Sequence, residues 1–251
     1  FDDRPLAAVP EIRPVVTTQF PVIINVRDRL TPLRDLVAWL ERVGQREIVL
    51  CDNDSTYGPL LDYLDATPHR VVRLGTNLGH RAPWLSGLVT ELGLDRPFVV
   101  TDPDVVPSDE CPDDALDVFH EVLSRHTEVD KVGFSLRLDD LPRHYAHRDA
   151  VIRWEGQFWR ERHPSGFWRA AIDTTLAVYR AGEHHQNDRS LRSPFPYVAR
   201  HMPWYQDSAN PDDEQRYYAE HADTLIINWD NKVLPASLRA YLLTVDGSGG
   251  R

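Results

Sequence analysis

Residues 98–107 read FVVTDPDVVP. Phe98, Val99 and Val100 form an aromatic and β-branched run of the kind that fills a buried strand. The run then meets Asp102, Pro103 and Asp104, and a proline cannot continue a central strand because it has no N–H to donate. Carboxylates at positions i and i+2 of an extended chain share a face, and they repel unless something positive stands beside them. A divalent cation held by carboxylates together with phosphate oxygens meets that need. A solvated Asp-Pro-Asp turn is the alternative.

Working outward, three more strand-length runs precede this one: PVIINV (21–26), REIVLCD (46–52) and HRVVRLG (69–75), with PFVVTD (97–102) as the fourth. Helical stretches separate them. In RDRLTPLRDLVAWLERVG (27–44), Leu33, Leu36, Val37, Leu40 and Val43 recur at helical spacing. Thr31 is the expected N-cap, Pro32 the first helical residue, and Gly44 the stop. YGPLLDYLDAT (57–67) predicts a short helix, RAPWLSGLVTELG (81–93) another, and DDALDVFHEVLSRHTEV (113–129) a strong one with acidic residues in its first turn. This alternation predicts an α/β fold with a mostly parallel central sheet flanked by helices. Ligands in such sheets bind beyond the carboxyl ends of the strands. The polar clusters RDR (27–29), DNDST (52–56), TNLGHR (76–81) and DPD (102–104) all fall there.

The second half reads differently, as a mixed acceptor-binding half. KVGFSLRL (131–138) and IDTTLAVYR (172–180) are strand-like, WEGQFWRERHPSGFW (154–168) is dense in aromatics and arginine, and YVARHMPWYQD (197–207) reads as irregular. PDDEQRYYAEHA (211–222) predicts a helix capped by Asn210. No linker-like shift in composition divides the chain. The expected organisation is one domain over 20–245, with a nucleotide half (20–130) and an acceptor half (131–245). Residues 1–19 form a lead-in and 246–251 a linker or tag remnant. The first residue is Phe, so the chain reads as a piece of a longer protein with further domains beyond it.

Composition limits the function classes. The net charge of −11 disfavours a nucleic-acid partner and broad contact with anionic lipid. No apolar run is long enough for a transmembrane helix. Two cysteines, Cys51 and Cys111, are too few for a disulfide framework or a zinc site and read as reduced thiols. The expectation is a cytoplasmic protein, free or resting at the inner face of a membrane.

The clusters have chemistry of their own. Asp52, at the tip of the second strand, can accept a hydrogen bond from the ring N–H of a nucleobase, or can make an Asx-turn that starts the next helix. TNLGHRAPW (76–84) is a strand-to-helix loop in which backbone N–H groups and Arg81 could receive an anion.

Taken in order, these stretches resemble glycosyltransferases with the GT-A (Rossmann-like) fold, and glycosyltransferase family 2 in particular. VRDR (26–29) stands where that family has a TYNR-like loop, DNDST (52–56) where it has DDGST or DNAST, NLGHRAPWLSGL (77–88) where it has N-x-G and a small-residue helix, and DPD (102–104) where it has D-x-D. The match covers about residues 20 to 140. The resemblance implies that Val26, Arg27 and Asp52 border the base, that Asn77 and Gly79 belong to the donor loop, that Arg81 lies near the diphosphate, and that Asp102 and Asp104 serve the ribose and the metal. The charge in VRDR and the bulk in GHRAPW depart from the family pattern.

An inverting transferase needs one general base for the acceptor hydroxyl. Asp173 is the first candidate and Glu155 the second. Trp154, Phe158, Trp159, Phe167 and Trp168 are candidates for an acceptor platform, with core packing as the alternative. His201 is a candidate third metal ligand, a late histidine being frequent in GT-A enzymes, and Trp204 and Tyr205 either line the sugar pocket or anchor a loop. EHHQND (183–188) reads as an exposed loop.

The expectation is a glycosyltransferase, hexosyl-transferring and inverting by family resemblance. Mn2+ or Mg2+ would be the metal, and the donor a nucleotide diphosphate sugar with UDP first and dTDP or GDP as alternatives. The acceptor would be a hydroxyl of a glycan or glycolipid, as in polysaccharide biosynthesis. Two rivals remain: a sugar nucleotidyltransferase, whose glycine-rich basic loop NVRDRLTP lacks, and a non-catalytic GT-A-like binding module.

Overall fold

Strand β1 (Val22–Val26) is buried along its whole length, because it lies inside a sheet covered on both faces. The computed structural model describes residues 17–92, 95–182 and 188–222. From β1 the chain runs through α1 (Thr31–Arg42), β2 (Ile48–Asp52), α2 (Gly58–Ala66), β3 (Arg70–Arg73), the short helices α3 (Ala82–Leu85) and α4 (Leu88–Glu91), and β4 (Phe98–Thr101). It continues with β5 (Val105–Pro107), α5 (Ala115–Arg125), β6 (Lys131–Gly133), β7 (Ser135–Leu136), α6 (Arg148–Gly156) and β8 (Trp168–Arg169). The last described elements are β9 (Ala177–Tyr179), β10 (Ser190–Arg192), β11 (Val198–His201) and α7 (Asp213–His221).

The main sheet has eight strands in the order β3-β2-β1-β4-β9-β6-β10-β8. The first four are mutually parallel, β9 runs against β4 and β6, and β10 follows β6. Side chains of α1, α2 and α5, among them Leu36, Leu60 and Phe119, pack on the face that carries Val22, Ile24 and Leu50. Ala82 of α3 and Leu88 of α4 pack on the face that carries Ile23, Val49 and Val100. The α/β architecture with a central sheet flanked by helices is therefore as expected. A second sheet, β5-β11-β7, sets His201 opposite Val105 in antiparallel register and so returns the late chain to the end of β4.

Several expectations need correction. Leu30, not Thr31, is the cap residue of α1; Thr31 is helical, and its N–H and Oγ1 both donate to Glu214 Oε2 at 3.0 Å. The helix expected over 81–93 is a 3-10 turn (Gly79–Arg81) and two short pieces, broken where Gly87 takes a left-handed φ of 78°. The strand expected over 131–138 changes sheets at Phe134, and the one over 172–180 shrinks to Ala177–Tyr179. VARH, read as irregular, is β11, because β5 and β7 supply its hydrogen bonds from distant sequence. Asp212, not Asn210, caps α7 in a reciprocal box with Gln215. Helix α6 and strands β5, β8 and β10 carried no strong sequence signal. Most of 183–188 and all of 223–251 lie outside the described residues.

At Gly133 the sheet packs backbone against backbone: a Cβ there would stand 2.5 Å from the Leu176 carbonyl oxygen and 2.6 Å from Ala177 Cβ. Gly133→Ala is expected to cost about 1–3 kcal/mol of stability. Gly156→Ala, where nothing lies within 4 Å, should not destabilise. Denaturant unfolding of the two variants checks this, and equal midpoints would contradict the close approach.

Candidate active site

The strand order reverses between β1 and β4, the place where open α/β sheets bind ligands beyond the carboxyl ends of their strands. The register pairs Ile24 with Thr101, so the next step outward sets Asn25 beside Asp102. Asp102 accepts hydrogen bonds from the Asn25 side chain and from Thr174 Oγ1, while its own N–H donates to the Thr174 carbonyl at 3.0 Å. Desolvation, then the charge of Asp104, pushes the Asp102 carboxyl well above the usual carboxylate range; the Thr174 hydrogen bond opposes this and Asp173 adds to it.

Asp104 is buried between two cationic or potentially cationic groups. Its Oδ2 lies 3.9 Å from Arg29 Nε and its Oδ1 lies 3.7 Å from His201 Nε2. The Arg29 guanidinium is also covered by the Tyr218 ring, 3.5 Å away. The His201 ring packs on buried Trp204, with centroids 4.7 Å apart. Trp204 thus anchors the loop beneath the histidine. Tyr205 instead donates to Asp140 Oδ1 at 2.5 Å, away from this pair.

Helix α7 packs against the loops at this end of the sheet. Glu214 holds the start of α1 as above, Tyr217 donates to Thr56 Oγ1 at 2.9 Å, and Tyr218 lies on Arg29. Long-range contacts of this kind leave no local pattern in sequence.

The loops after β1, β2 and β3 are tied to one another. Asn53 Nδ2 donates to Asn77 Oδ1 at 3.1 Å and to the Gly79 carbonyl at 3.0 Å, and Asn53 Oδ1 accepts from Leu78 N–H at 2.7 Å. Gly79 takes a φ of 70°, which turns that carbonyl inward. Arg27 donates to the carbonyls of Asn53 at 2.9 Å and Asp54 at 3.2 Å. Asp52 makes the Asx-turn, accepting from Ser55 N–H at 2.9 Å. The Val26 side chain is in the core and its carbonyl accepts from Asn53 N–H at 2.8 Å. Arg81 is exposed at the rim and makes no ion pair among the described residues. Asp28, which sequence reasoning did not single out, has a φ of 47° and caps the start of α2 through Thr56 N–H at 2.6 Å and Tyr57 N–H at 2.8 Å.

The two candidate bases differ in setting. Asp173 is exposed beside Asp102 and Thr174, and its carbonyl accepts from the buried Lys131 ammonium at 3.3 Å. Burial pulls the Lys131 ammonium down to about 8, against the opposing pull of the Asp173 charge. Glu155 is buried and engaged by Arg192 at 2.7 Å, and the Arg192 guanidinium lies over Phe158 at 4.1 Å. Of the aromatic set, Phe167 is core, packed on Phe119, while Trp154, Phe158, Trp159 and Trp168 are half-buried. Cys51 and Cys111 are buried free thiols, each pushed up to about 12 by burial, and so are unreactive. No helix among the described residues is long and apolar enough to cross a membrane.

The residues that sequence reasoning missed are Asn25, Asp28, Arg29, Asn53 and Thr174. Arg29 and Asn53 sit inside quoted motifs, so proximity to them was the available signal. Asn25 required the β1–β4 register.

The residues present fit a divalent cation. An ionisable carboxyl whose charged form is disfavoured by burial and by a second aspartate is relieved when a cation enters. Asp102 and Asp104 are the residues that would hold it, with His201 beside Asp104.

No protein-family model matches the chain, and no curated protein matches it by sequence. Solved structures that are similar to it include a mannosyltransferase of Pyrobaculum calidifontis in complex with GDP-Man and Mn2+. That pair shows 15% identity and a TM-score of 0.47, with 92% of this chain and 73% of that one covered. Another is glucosyl-3-phosphoglycerate synthase of Mycobacterium tuberculosis in complex with phosphoglyceric acid. Here the identity is 13% and the TM-score 0.41, with 66% of this chain and 57% of that one covered.

The raised Asp102 carboxyl has a signed consequence. The folded state holds this proton more tightly than the unfolded chain, whose aspartates titrate near about 3.9. The associated stability is complete below that value and is lost as pH rises through the raised one. In metal-free buffer, wild type should therefore lose stability relative to Asp102→Asn as pH climbs from about 4 towards neutrality. Added Mn2+ should recover it in wild type only. Denaturant midpoints across that range, with and without Mn2+, are the measurement, and a pH-independent difference would refute the charge-crowded site.

Proposed function

We propose that this chain is a metal-dependent glycosyltransferase of the GT-A type. It would move a sugar from a nucleotide diphosphate sugar, UDP-linked in the first instance, to a hydroxyl of a carbohydrate or glycolipid acceptor. The observation that carries this is the crowding of Asp102 and Asp104 at the point where the strand order reverses, with Arg29 and His201 beside Asp104.

In this reading Asp52 accepts the ring N–H of the base while its second oxygen keeps the Asx-turn. Arg27 keeps the loop under the base in place through its two carbonyl contacts. Asn77 and Gly79, bound to Asn53, shape the loop that presents Arg81 to the diphosphate. Arg81 is suited to this because charge-assisted contacts to phosphate oxygens are strong and its guanidinium has no ion-pair partner to give up among the described residues. Asp102 and Asp104 hold the ribose hydroxyls and the cation. A bound Mn2+ or Mg2+ would supply Lewis-acid stabilisation of the departing diphosphate.

Asp173 takes the proton of the acceptor hydroxyl on one carboxylate oxygen as that hydroxyl attacks the sugar, with inversion in a single displacement. It is preferred to Glu155 because it is open to solvent and next to Asp102, whereas a proton on Glu155 would break a buried ion pair with Arg192. The half-buried Trp154, Phe158, Trp159 and Trp168 offer flat faces to an acceptor sugar ring.

Calorimetric titration with UDP, GDP and dTDP, each with and without Mn2+, tests the donor site. One nucleotide should bind in a metal-dependent way, and Asp104→Ala should abolish it. Arg81→Ala should weaken it about 10- to 100-fold, the value of a charge-assisted hydrogen bond. Binding of no nucleotide by folded protein would leave the non-catalytic module as the answer.

Asp173→Asn separates donor binding from chemistry. It should leave nucleotide affinity unchanged while turnover falls by about 10²- to 10⁴-fold. Unchanged turnover would remove Asp173 as the base.

A further inference from the structure

At the end of α5, three side chains from two separate segments converge. Among the described residues, His126, Glu128 and His163 form a group whose ligand atoms all lie within 4.8 Å of one another. We infer that these three residues form a second metal site, independent of the donor site, for a zinc-type transition-metal ion.

The spacing fits. Glu128 Oε1 lies 3.4 Å from His126 Nδ1 and 3.4 Å from His163 Nε2. Tetrahedral zinc with ligand bonds of about 2.0–2.1 Å places neighbouring ligand atoms about 3.3–3.4 Å apart. Two imidazoles and one carboxylate are the donor set that zinc accepts with a water in the fourth position. The imidazole rings meet edge to face with centroids 4.6 Å apart, so both nitrogens point toward Glu128 without the rings obstructing each other.

The surroundings hold both segments in place before any ion enters. His163 is nearly fully buried, with 3% of its side chain exposed, and sits in a tight hairpin closed by its own N–H to the Phe167 carbonyl at 2.9 Å. Its Nδ1 lies 2.8 Å from Ser165 Oγ and 3.3 Å from Ser165 N–H. Ser165 N–H donates to Nδ1, which matches the tautomer with Nε2–H directed at Glu128 while no ion is bound; when Nε2 binds metal, Nδ1–H turns to Ser165 Oγ, which accepts, and the contact with Ser165 N–H is given up. On the other segment, the Arg180 guanidinium donates to the carbonyls of Leu123 at 2.8 Å, His126 at 3.0 Å and Val129 at 2.8 Å, which fixes the turn carrying His126 and Glu128. A bound ion would lock the 163–167 hairpin to the end of α5.

The test is Zn2+ competition against a chromophoric chelator on the full chain. Wild type should take up one equivalent tightly, and Asp102→Asn/Asp104→Asn should bind it with the same affinity. His163→Ala and Glu128→Gln, each added to the Asp102→Asn/Asp104→Asn protein, should weaken binding at least tenfold, and Zn2+ should raise the melting temperature of that background but not of these variants. Glu128 is half exposed, at 52%, so Glu128→Gln decides the matter if His163→Ala fails to fold. Binding only at millimolar Zn2+, retention of affinity in Glu128→Gln, or loss of it in the Asp102/Asp104 variant would each overturn the site and leave a metal-free histidine–glutamate cluster.

Discussion

Two carboxylates two residues apart, at the end of an apolar strand in the middle of a sheet, are an electrostatic problem that much of the molecule answers. Burial disfavours the ionised form of Asp102, and Asp104 makes it worse. Hydrogen bonds from Asn25 and Thr174 offset part of this. Arg29 and His201 stand beside Asp104. Each comes from a different element: Asn25 from β1, Arg29 from the loop after it, Thr174 from the lead into β9, His201 from the end of β11. A turn needed only for folding would gain nothing from being placed where four elements must converge to tolerate it.

The mixed half of the sheet is what brings those elements together. β9 enters antiparallel between β4 and β6, and the backbone just before it hydrogen-bonds to Asp102. β11 pairs with β5 directly after the DPD turn and so lays His201 beside Asp104. α7 then packs on the loop after β1, with Tyr218 on Arg29. The first half of the chain therefore builds the strand ends, and the second half supplies most of the groups that make them a site.

How much of this could be read from sequence follows from the range of each interaction. The parallel strands β1 to β4 were legible because they are continuous apolar runs separated by helices of regular period. Helix α1 was legible from its apolar stripe, although its first turn was misassigned because Glu214, far along the chain, supplies the acceptor expected of Thr31. β11 was not legible: VARH has no alternation of its own and is a strand only because two others flank it. The 81–93 segment shows the opposite failure, since a helical apolar spacing could not reveal that Gly87 turns left-handed and splits it.

By itself, the sequence determined the parallel α/β half, the placing of its polar clusters at the carboxyl ends of the strands, and the pairing of Asp102 with Asp104, because all of these depend on neighbours within a few residues. Tertiary structure alone decided that Glu155 faces Arg192 while Asp173 stands open beside Asp102, that Arg29 and His201 flank Asp104, and that His126, Glu128 and His163 meet at all. Those outcomes depend on strand order, register and the burial of each charge, and such contacts link residues dozens of positions apart with no periodicity to announce them.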